Sequence, residues 1–119
     1  MALSEILRLL NVIAEPNRLR ILTALSARRM CVCELCAALG LKQSVMSQHL
    51  RVLRDCGLVI HRKSGLWVDY ELSVLSGPPG RVLKAILLEA GRDESIQRDR
   101  KAAAKADRKA LGRRAGRGA

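Results

Sequence analysis

The chain has 119 residues, a length that predicts a single domain. Its formal net charge is +11, and residues 92–119 alone hold ten Lys and Arg against four Asp and Glu. No apolar run is long enough to span a bilayer, and no signal-peptide pattern opens the chain, so we expect a cytoplasmic protein with reduced thiols. The positive charge favours a polyanionic partner, which at this point can be DNA, RNA or an acidic membrane surface.

The first half of the chain predicts four helices. Residues 3–14 carry a broad apolar stripe that ends at Glu15-Pro16, and Pro16 suits the first turn of a second helix, which continues to residue 25. A short third helix is predicted over residues 32–39, where Gly40 ends it, and a fourth over residues 44–55. Two short helices joined by so few residues are typical of a helix-turn-helix.

The second half of the chain predicts a hairpin and one more helix. Residues 58–60 and 66–72 are rich in β-forming residues, and His61-Arg62-Lys63-Ser64-Gly65 reads as the basic turn between them. Residues 81–90 form the last amphipathic helix. We therefore predict a mainly α fold (α+β) with a two-stranded β-hairpin wing: a winged helix-turn-helix domain over residues 1–91. Residues 92–119 are predicted to be a basic, flexible tail, either a fraying helix or disordered.

The polar face of the fourth helix, which we call the reading helix, predicts a surface that binds the bases of DNA. Met46, Leu50 and Leu53 would seat it on an aliphatic core, since the chain has no Phe. The opposite face offers amides, hydroxyls and a guanidinium, which suit the edges of bases, and the wing tip offers two cations for phosphates. The predicted DNA contacts are Gln43, Ser44, Ser47, Gln48, Arg51, Arg62 and Lys63. The alternative is a solvated helix face and a charged turn without a partner.

Three cysteines, Cys31, Cys33 and Cys36, lie within six residues just before the reading helix. Thiolates select soft ions, and three sulfurs without a fourth ligand suit As(III) or Sb(III); zinc, cadmium or lead would have to borrow a ligand across a dimer. The alternatives are three cysteines that only pack, or a redox pair at Cys33 and Cys36. The single Cys56 is predicted to be a buried apolar residue.

The spacing of these cysteines predicts a mechanical effect of ion binding. On a regular helix Cys33 and Cys36 share a face, whereas Cys31 and Cys33 point to nearly opposite sides. Binding through all three sulfurs should therefore distort the start of the third helix. We also expect the helix N-terminus to lower the pKa of these thiols.

The run from Gln43 to Val59 resembles the recognition-helix signature of the ArsR/SmtB family of metal-responsive repressors. Residues 15–22 and 66–72 resemble the family's second helix and second wing strand, and Cys31-Val32-Cys33-Glu34-Leu35-Cys36 resembles its arsenic-responsive branch. The resemblance implies a homodimeric repressor, not an enzyme, that dimerises through residues 3–14 and 81–90. It implies release of operator DNA when As(III) or Sb(III) binds. Lys42, where the family often has a small capping residue, and the tail depart from the pattern.

Overall fold

The computed structural model describes residues 1–73 and 77–111. Within these ranges, the fold consists of helices and a small antiparallel sheet. In chain order the elements are α1 (Leu3–Ile13), α2 (Pro16–Leu25), β1 (Met30–Cys31), α3 (Val32–Leu39), α4 (Gln43–Asp55), β2 (Val59–Ser64), β3 (Trp67–Leu72), α5 (Pro78–Ala90) and α6 (Glu94–Lys105). The predicted helix-turn-helix and its wing are confirmed as α3, α4 and the β2–β3 hairpin.

Local sequence signals set the ends of these helices. Glu15 caps α2, since its carboxylate accepts the backbone N–H of Arg18 at 2.8 Å, and Pro16 follows at the first helical position. Gly40 ends α3 with a φ of 68°, a left-handed conformation that glycine adopts without steric cost. Lys42 precedes α4 without a side-chain cap, as the sequence predicts.

The core is aliphatic and joins the helix-turn-helix to the rest of the domain. Met46, Leu50 and Leu53 of α4 are buried. They pack into one cluster that includes Leu22 of α2 and Leu35 of α3. This burial fixes the orientation of α4, so that its opposite face points to solvent.

The sheet has three strands in the order β1-β3-β2, one more than predicted. Met30 and Cys31 form β1, in which Cys31 pairs with Asp69 of β3. The sequence did not predict β1 because two residues show no periodicity. The wing tip also differs: pairing of β2 with β3 continues to Ser64 opposite Trp67, so residues 62 and 63 lie within β2 and the turn is formed by residues 65 and 66.

Residues 94–105 form a docked helix where the sequence predicts a fraying helix or disorder. Ile96, Asp99 and Ala103 of α6 are buried, and the helix packs against α2 and α3. The docking was not predicted because this helix has few apolar residues and is held by polar contacts. Arg20 of α2 binds Asp99 through two hydrogen bonds, of 2.8 and 3.0 Å. The rest of the predicted tail, residues 112–119, lies outside the described residues.

Two helices expose apolar side chains at the surface. On α1, Leu3, Leu7 and Leu10 face solvent, and on α5 Leu88 does so with 66% of its surface exposed. Among the described helices none has the length and apolar character that crossing a membrane requires. Apolar patches of this kind mark surfaces that bind other molecules or a second copy of the chain.

Candidate metal centre and nucleic-acid interface

The residues predicted to read DNA on α4 share one exposed face. The buried stripe of Met46, Leu50 and Leu53 turns the other side of the helix outward. The exposed residues on that side are Gln43, Ser44, Ser47, Gln48 and Arg51. Their side chains supply two amides, two hydroxyls and a guanidinium over about two and a half turns, a set that can pair with base edges in a major groove.

The two cations predicted for the wing lie on opposite faces of β2, because side chains alternate along a strand. Arg62 lies on the face of Asp69 and Glu71, and its Nε is 2.8 Å from a Glu71 carboxylate oxygen, close but without hydrogen-bond alignment. Lys63 lies on the other face, with His61. Lys63, and not Arg62, therefore lies on the face of the hairpin from which His61 approaches α4.

Three further residues lie between α4 and the wing and were not predicted as contacts. Arg54 Nη1 is 3.3 Å from His61 Nδ1, and the His61 ring is 5.7 Å from that of Tyr70, its cross-strand partner. The helical spacing of Arg54 from Ser47 and Arg51 places them on one side of α4, a signal that the sequence does carry. His49, by contrast, lies at the edge of the core, where its Nε2 is 3.7 Å from a carboxylate oxygen of Glu15.

The cysteines are arranged differently from the prediction. Cys31 is not helical: it lies in β1 and is the extended residue that precedes α3. Its Sγ is 3.0 Å from Sγ of Cys33, so the expectation that these two point apart is wrong, because helical periodicity does not apply to an extended residue. Cys36 lies farther along α3. In the described ranges no three His, Cys, Asp or Glu side chains converge as metal ligands.

The pKa values of Cys31 and Cys36 are raised, not lowered as predicted. Burial raises the pKa of Cys31 to about 12, helped by its contact with Cys33. Burial, and then the charge of Cys33, also raise the pKa of Cys36. Desolvation therefore outweighs the effect of the helix N-terminus, and the expected lowering of these pKa values is wrong.

Two buried carboxylates, each paired with an arginine, adjoin Cys31. Glu34 accepts the N–H of Cys31 at 3.0 Å and also pairs with Arg28 at 3.2 Å. Asp69, which is buried, pairs with Arg108 at 2.7 Å. Arg28 in turn donates to the carbonyl oxygens of residues 103 and 106, at the end of α6. The end of α6 is thus tied to the start of the cysteine helix.

Comparison with known proteins agrees with this architecture. Residues 15–61 match the family described as "Bacterial regulatory protein, arsR family". The chain is 44% identical over 68 residues to the arsenical resistance operon repressor of Escherichia coli K12, covering 56% of this chain and 58% of the repressor. It is 40% identical over 86 residues to the HTH-type transcriptional regulator CmtR of Mycobacterium tuberculosis H37Rv, covering 71% of this chain and 73% of the regulator.

A solved structure shares the fold. Reduced HlyU from Vibrio cholerae N16961 superposes with a TM-score of 0.64 at 37% identity, over 75% of this chain and 87% of HlyU. The chain spans only about half of the length of some curated relatives: 58% of the Escherichia coli repressor and 48% of the SmtB homolog of Synechocystis. The family match at residues 15–61 includes α2, α3 and α4.

Proposed function

Because this chain belongs to the arsR family of bacterial regulatory proteins, we propose that it is a cytoplasmic transcriptional repressor rather than an enzyme. It binds duplex operator DNA as a homodimer and releases it when a soft ion binds Cys31, Cys33 and Cys36. The observation that carries the proposal is the trio of cysteines at the start of the helix that packs against α4. As(III) or Sb(III) is the inducer, since a relative of similar sequence is named for arsenical resistance.

The exposed face of α4 and the wing are the DNA-binding surface. The amides of Gln43 and Gln48 suit adenine and the guanidinium of Arg51 suits guanine, while Ser44 and Ser47 can bond to either base. Lys63 and Arg62 add charge on the wing, although Glu71 partly neutralises Arg62.

Arg51→Ala tests this assignment. A base contact predicts a loss of about 1–3 kcal/mol on the operator and a much smaller loss on unrelated DNA. Equal losses on both sequences, measured by fluorescence anisotropy at fixed salt, would make Arg51 a phosphate contact instead.

Dimerisation would cover the exposed leucines of α1 and α5. Leu7 is 56% exposed and Leu88 is 66% exposed, and neither has a partner within the described part of the chain that buries it. A two-fold axis through these helices would present two copies of α4, which suits half-sites about one helical turn apart or a small multiple of it.

The donor set fits an ion that takes three sulfurs. Two of the thiols are already adjacent, at 3.0 Å, and thiolates select soft ions. Arsenous acid exchanges its three hydroxyls for three sulfurs with release of three waters and no net proton. A divalent ion must instead displace a proton from each thiol. Cadmium, lead or zinc remains the second candidate, because relatives of similar identity include CmtR and an SmtB homolog.

Ion binding should change the start of α3, because the described residues do not already bring three ligands together. Cys31 is held by its pairing with Asp69 and by the hydrogen bond from its N–H to Glu34, and Cys36 lies one turn beyond Cys33 on α3. Gathering the third sulfur with the first two therefore pulls residues 31–36 against these contacts. Since α3 packs against α4, this movement shifts the reading helix. A coupling of about 1–3 kcal/mol is typical of such regulators.

The decisive experiment is operator binding with and without each ion, in the wild type and in Cys33→Ser. We expect the variant to bind DNA as the wild type does and to keep it when arsenite is added. Cys56→Ser is the matched control, since Cys56 lies at the end of α4 outside the trio. Release of DNA from Cys33→Ser at the wild-type arsenite concentration would refute the three-thiol switch.

The pH dependence of release separates the two kinds of ion. Half-release by arsenite should change little between about pH 6 and 8, because the exchange is neutral in protons. Half-release by cadmium or zinc should need less ion as the pH rises, since thiols of raised pKa must lose protons. A steep pH dependence with arsenite would contradict the proposed exchange.

A further inference from the structure

A cleft of about 270 Å³ lies between α4 and the wing formed by β2 and β3. Ser47, Gln48, Arg51 and Arg54 line it from α4, and Tyr70 lines it from β3. No carboxylate lines this cleft, whereas two guanidiniums, two hydroxyls and an amide do. The chemistry of the lining is that of a site for an anion.

The guanidinium of Arg54 is positioned by a ring and not by an acid. Arg54 Nη1 is 3.3 Å from His61 Nδ1, and no ion pair involves Arg54 within residues 1–73 and 77–111. A guanidinium cannot accept a hydrogen bond, so Nδ1 of His61 is the acceptor and its Nε2 carries the proton. Arg54 and His61 therefore each keep N–H groups that can donate to an anion. Arg62, by contrast, is paired with Glu71 on the other face of the hairpin.

The ring of Tyr70 completes the wall on the wing side. Tyr70 pairs across the strands with His61, and their ring centroids are 5.7 Å apart. Lys63 lies two residues beyond His61 on the same face of β2, so it extends the positive surface toward the wing tip. The cleft is therefore bounded by α4 on one side and by Tyr70 on the other, and His61 and Lys63 lie beside Tyr70 on the same face of the hairpin.

The geometry of DNA explains what would occupy this cleft. The major and minor grooves of a duplex are separated by a sugar-phosphate strand. A protein with a helix in the major groove and a wing over the adjacent minor groove must therefore straddle one strand, and this strand passes between the helix and the wing. We propose that the cleft binds a single phosphodiester of that strand, held by Arg54 with a donor from the hydroxyl of Tyr70. This inference rests on the proposed binding of operator DNA.

Arg54→Gln tests the phosphate site because it removes the charge and keeps a hydrogen-bonding side chain of similar reach. Without any ion, we expect the operator affinity to fall roughly tenfold per protomer, and the affinity for unrelated DNA to fall by a similar factor. The slope of log K against log salt should become shallower by about 0.9 per protomer. Arg92→Gln, an exposed arginine between α5 and α6, is the matched control and should leave the affinities nearly unchanged.

A scan of operator duplexes with one methylphosphonate at a time locates the contact. In the wild type, one position per half-site should weaken binding strongly, and in Arg54→Gln the same substitution should have little further effect. Tyr70→Phe keeps the ring and loses only the hydroxyl, so it should reduce the same effect in part. Circular dichroism melting of each variant shows whether the fold is retained.

Two outcomes would overturn the inference while leaving the proposed function intact. One is an Arg54→Gln variant that binds with the wild-type salt slope. The other is a methylphosphonate profile that is identical in the variant and in the wild type. If the wild type itself fails to bind duplex DNA under these conditions, the proposed function fails instead.

Discussion

Replacing Asp99 by Asn should weaken the fold measurably, because this one carboxylate fastens α6 to α2. Asp99 is 6% exposed and receives two hydrogen bonds from Arg20, of 2.8 and 3.0 Å. Arg20 also donates to the carbonyl oxygen of Leu39 at 2.7 Å and to Asn17 at 3.0 Å, so it keeps some partners in the variant. The hydrogen bond from Arg20 to Asp99 raises the pKa of Arg20, as expected for a tight pair.

The expected magnitude follows from these contacts. A hydrogen bond to a charged group contributes about 1.5–3 kcal/mol, and breaking a fully buried ion pair costs about 3–5 kcal/mol. Since the Arg20 side chain is 25% exposed and retains two partners, we expect the lower range, about 2 kcal/mol. For a chain of 119 residues this corresponds to a fall of about 8 °C in Tm.

Urea unfolding at fixed protein concentration provides the assay. Trp67, the single tryptophan, reports on the sheet, and circular dichroism reports on the helices. Glu94→Gln, at an exposed position of α6, is the control and should change the unfolding free energy by less than about 0.5 kcal/mol. The double variant Arg20→Met with Asp99→Leu should recover much of the loss, since neither charge is then left alone. If Asp99→Asn is no less stable than Glu94→Gln, the ion pair does not hold α6 in place.

Three further predictions follow from other contacts. Arg108→Gln leaves buried Asp69 without its cation, and the unfolding free energy measured through Trp67 should fall by about 1–2 kcal/mol. Leu7→Glu places a charge in the proposed dimer interface, and sedimentation velocity should show monomers where the wild type shows dimers. Hydrogen bonds from Ser95 lower the pKa of Asp93. The stabilisation that Asp93 gives to the start of α6 is therefore present above its ordinary pKa of 3.8 and is lost as the pH falls through the lowered value. Asp93→Ala should not show this loss of helicity in acid.

Much of the architecture could be predicted from local patterns. Met46, Leu50 and Leu53 recur at helical spacing and are buried as predicted, and Gly40 ends α3 because its left-handed conformation suits glycine. The exposed face of α4 follows directly from that stripe. These features depend on residues a few positions apart, so the sequence alone carries them.

The features that were not predicted depend on contacts between residues that are far apart in the sequence. Arg20 and Asp99 are 79 positions apart, and no local pattern indicates that an apparently solvated arginine orders a polar helix near the end of the chain. Cys31 is extended because it pairs with Asp69 of β3, 38 positions later, and that pairing decides which sulfurs are neighbours. The thiol pKa values follow burial, which a sequence does not give.

The pairing of Asp69 with Arg108 also has a consequence for how the chain is made. The ribosome completes the helix-turn-helix and the hairpin before it adds α6 and Arg108. Until then, the carboxylate of Asp69, beside the strand that carries Cys31, lacks Arg108, and Arg20 lacks Asp99. These two ion pairs therefore form only when the last quarter of the chain emerges, and a truncated product that ends before α6 retains α4 but lacks the cation that pairs with the carboxylate beside its thiol site.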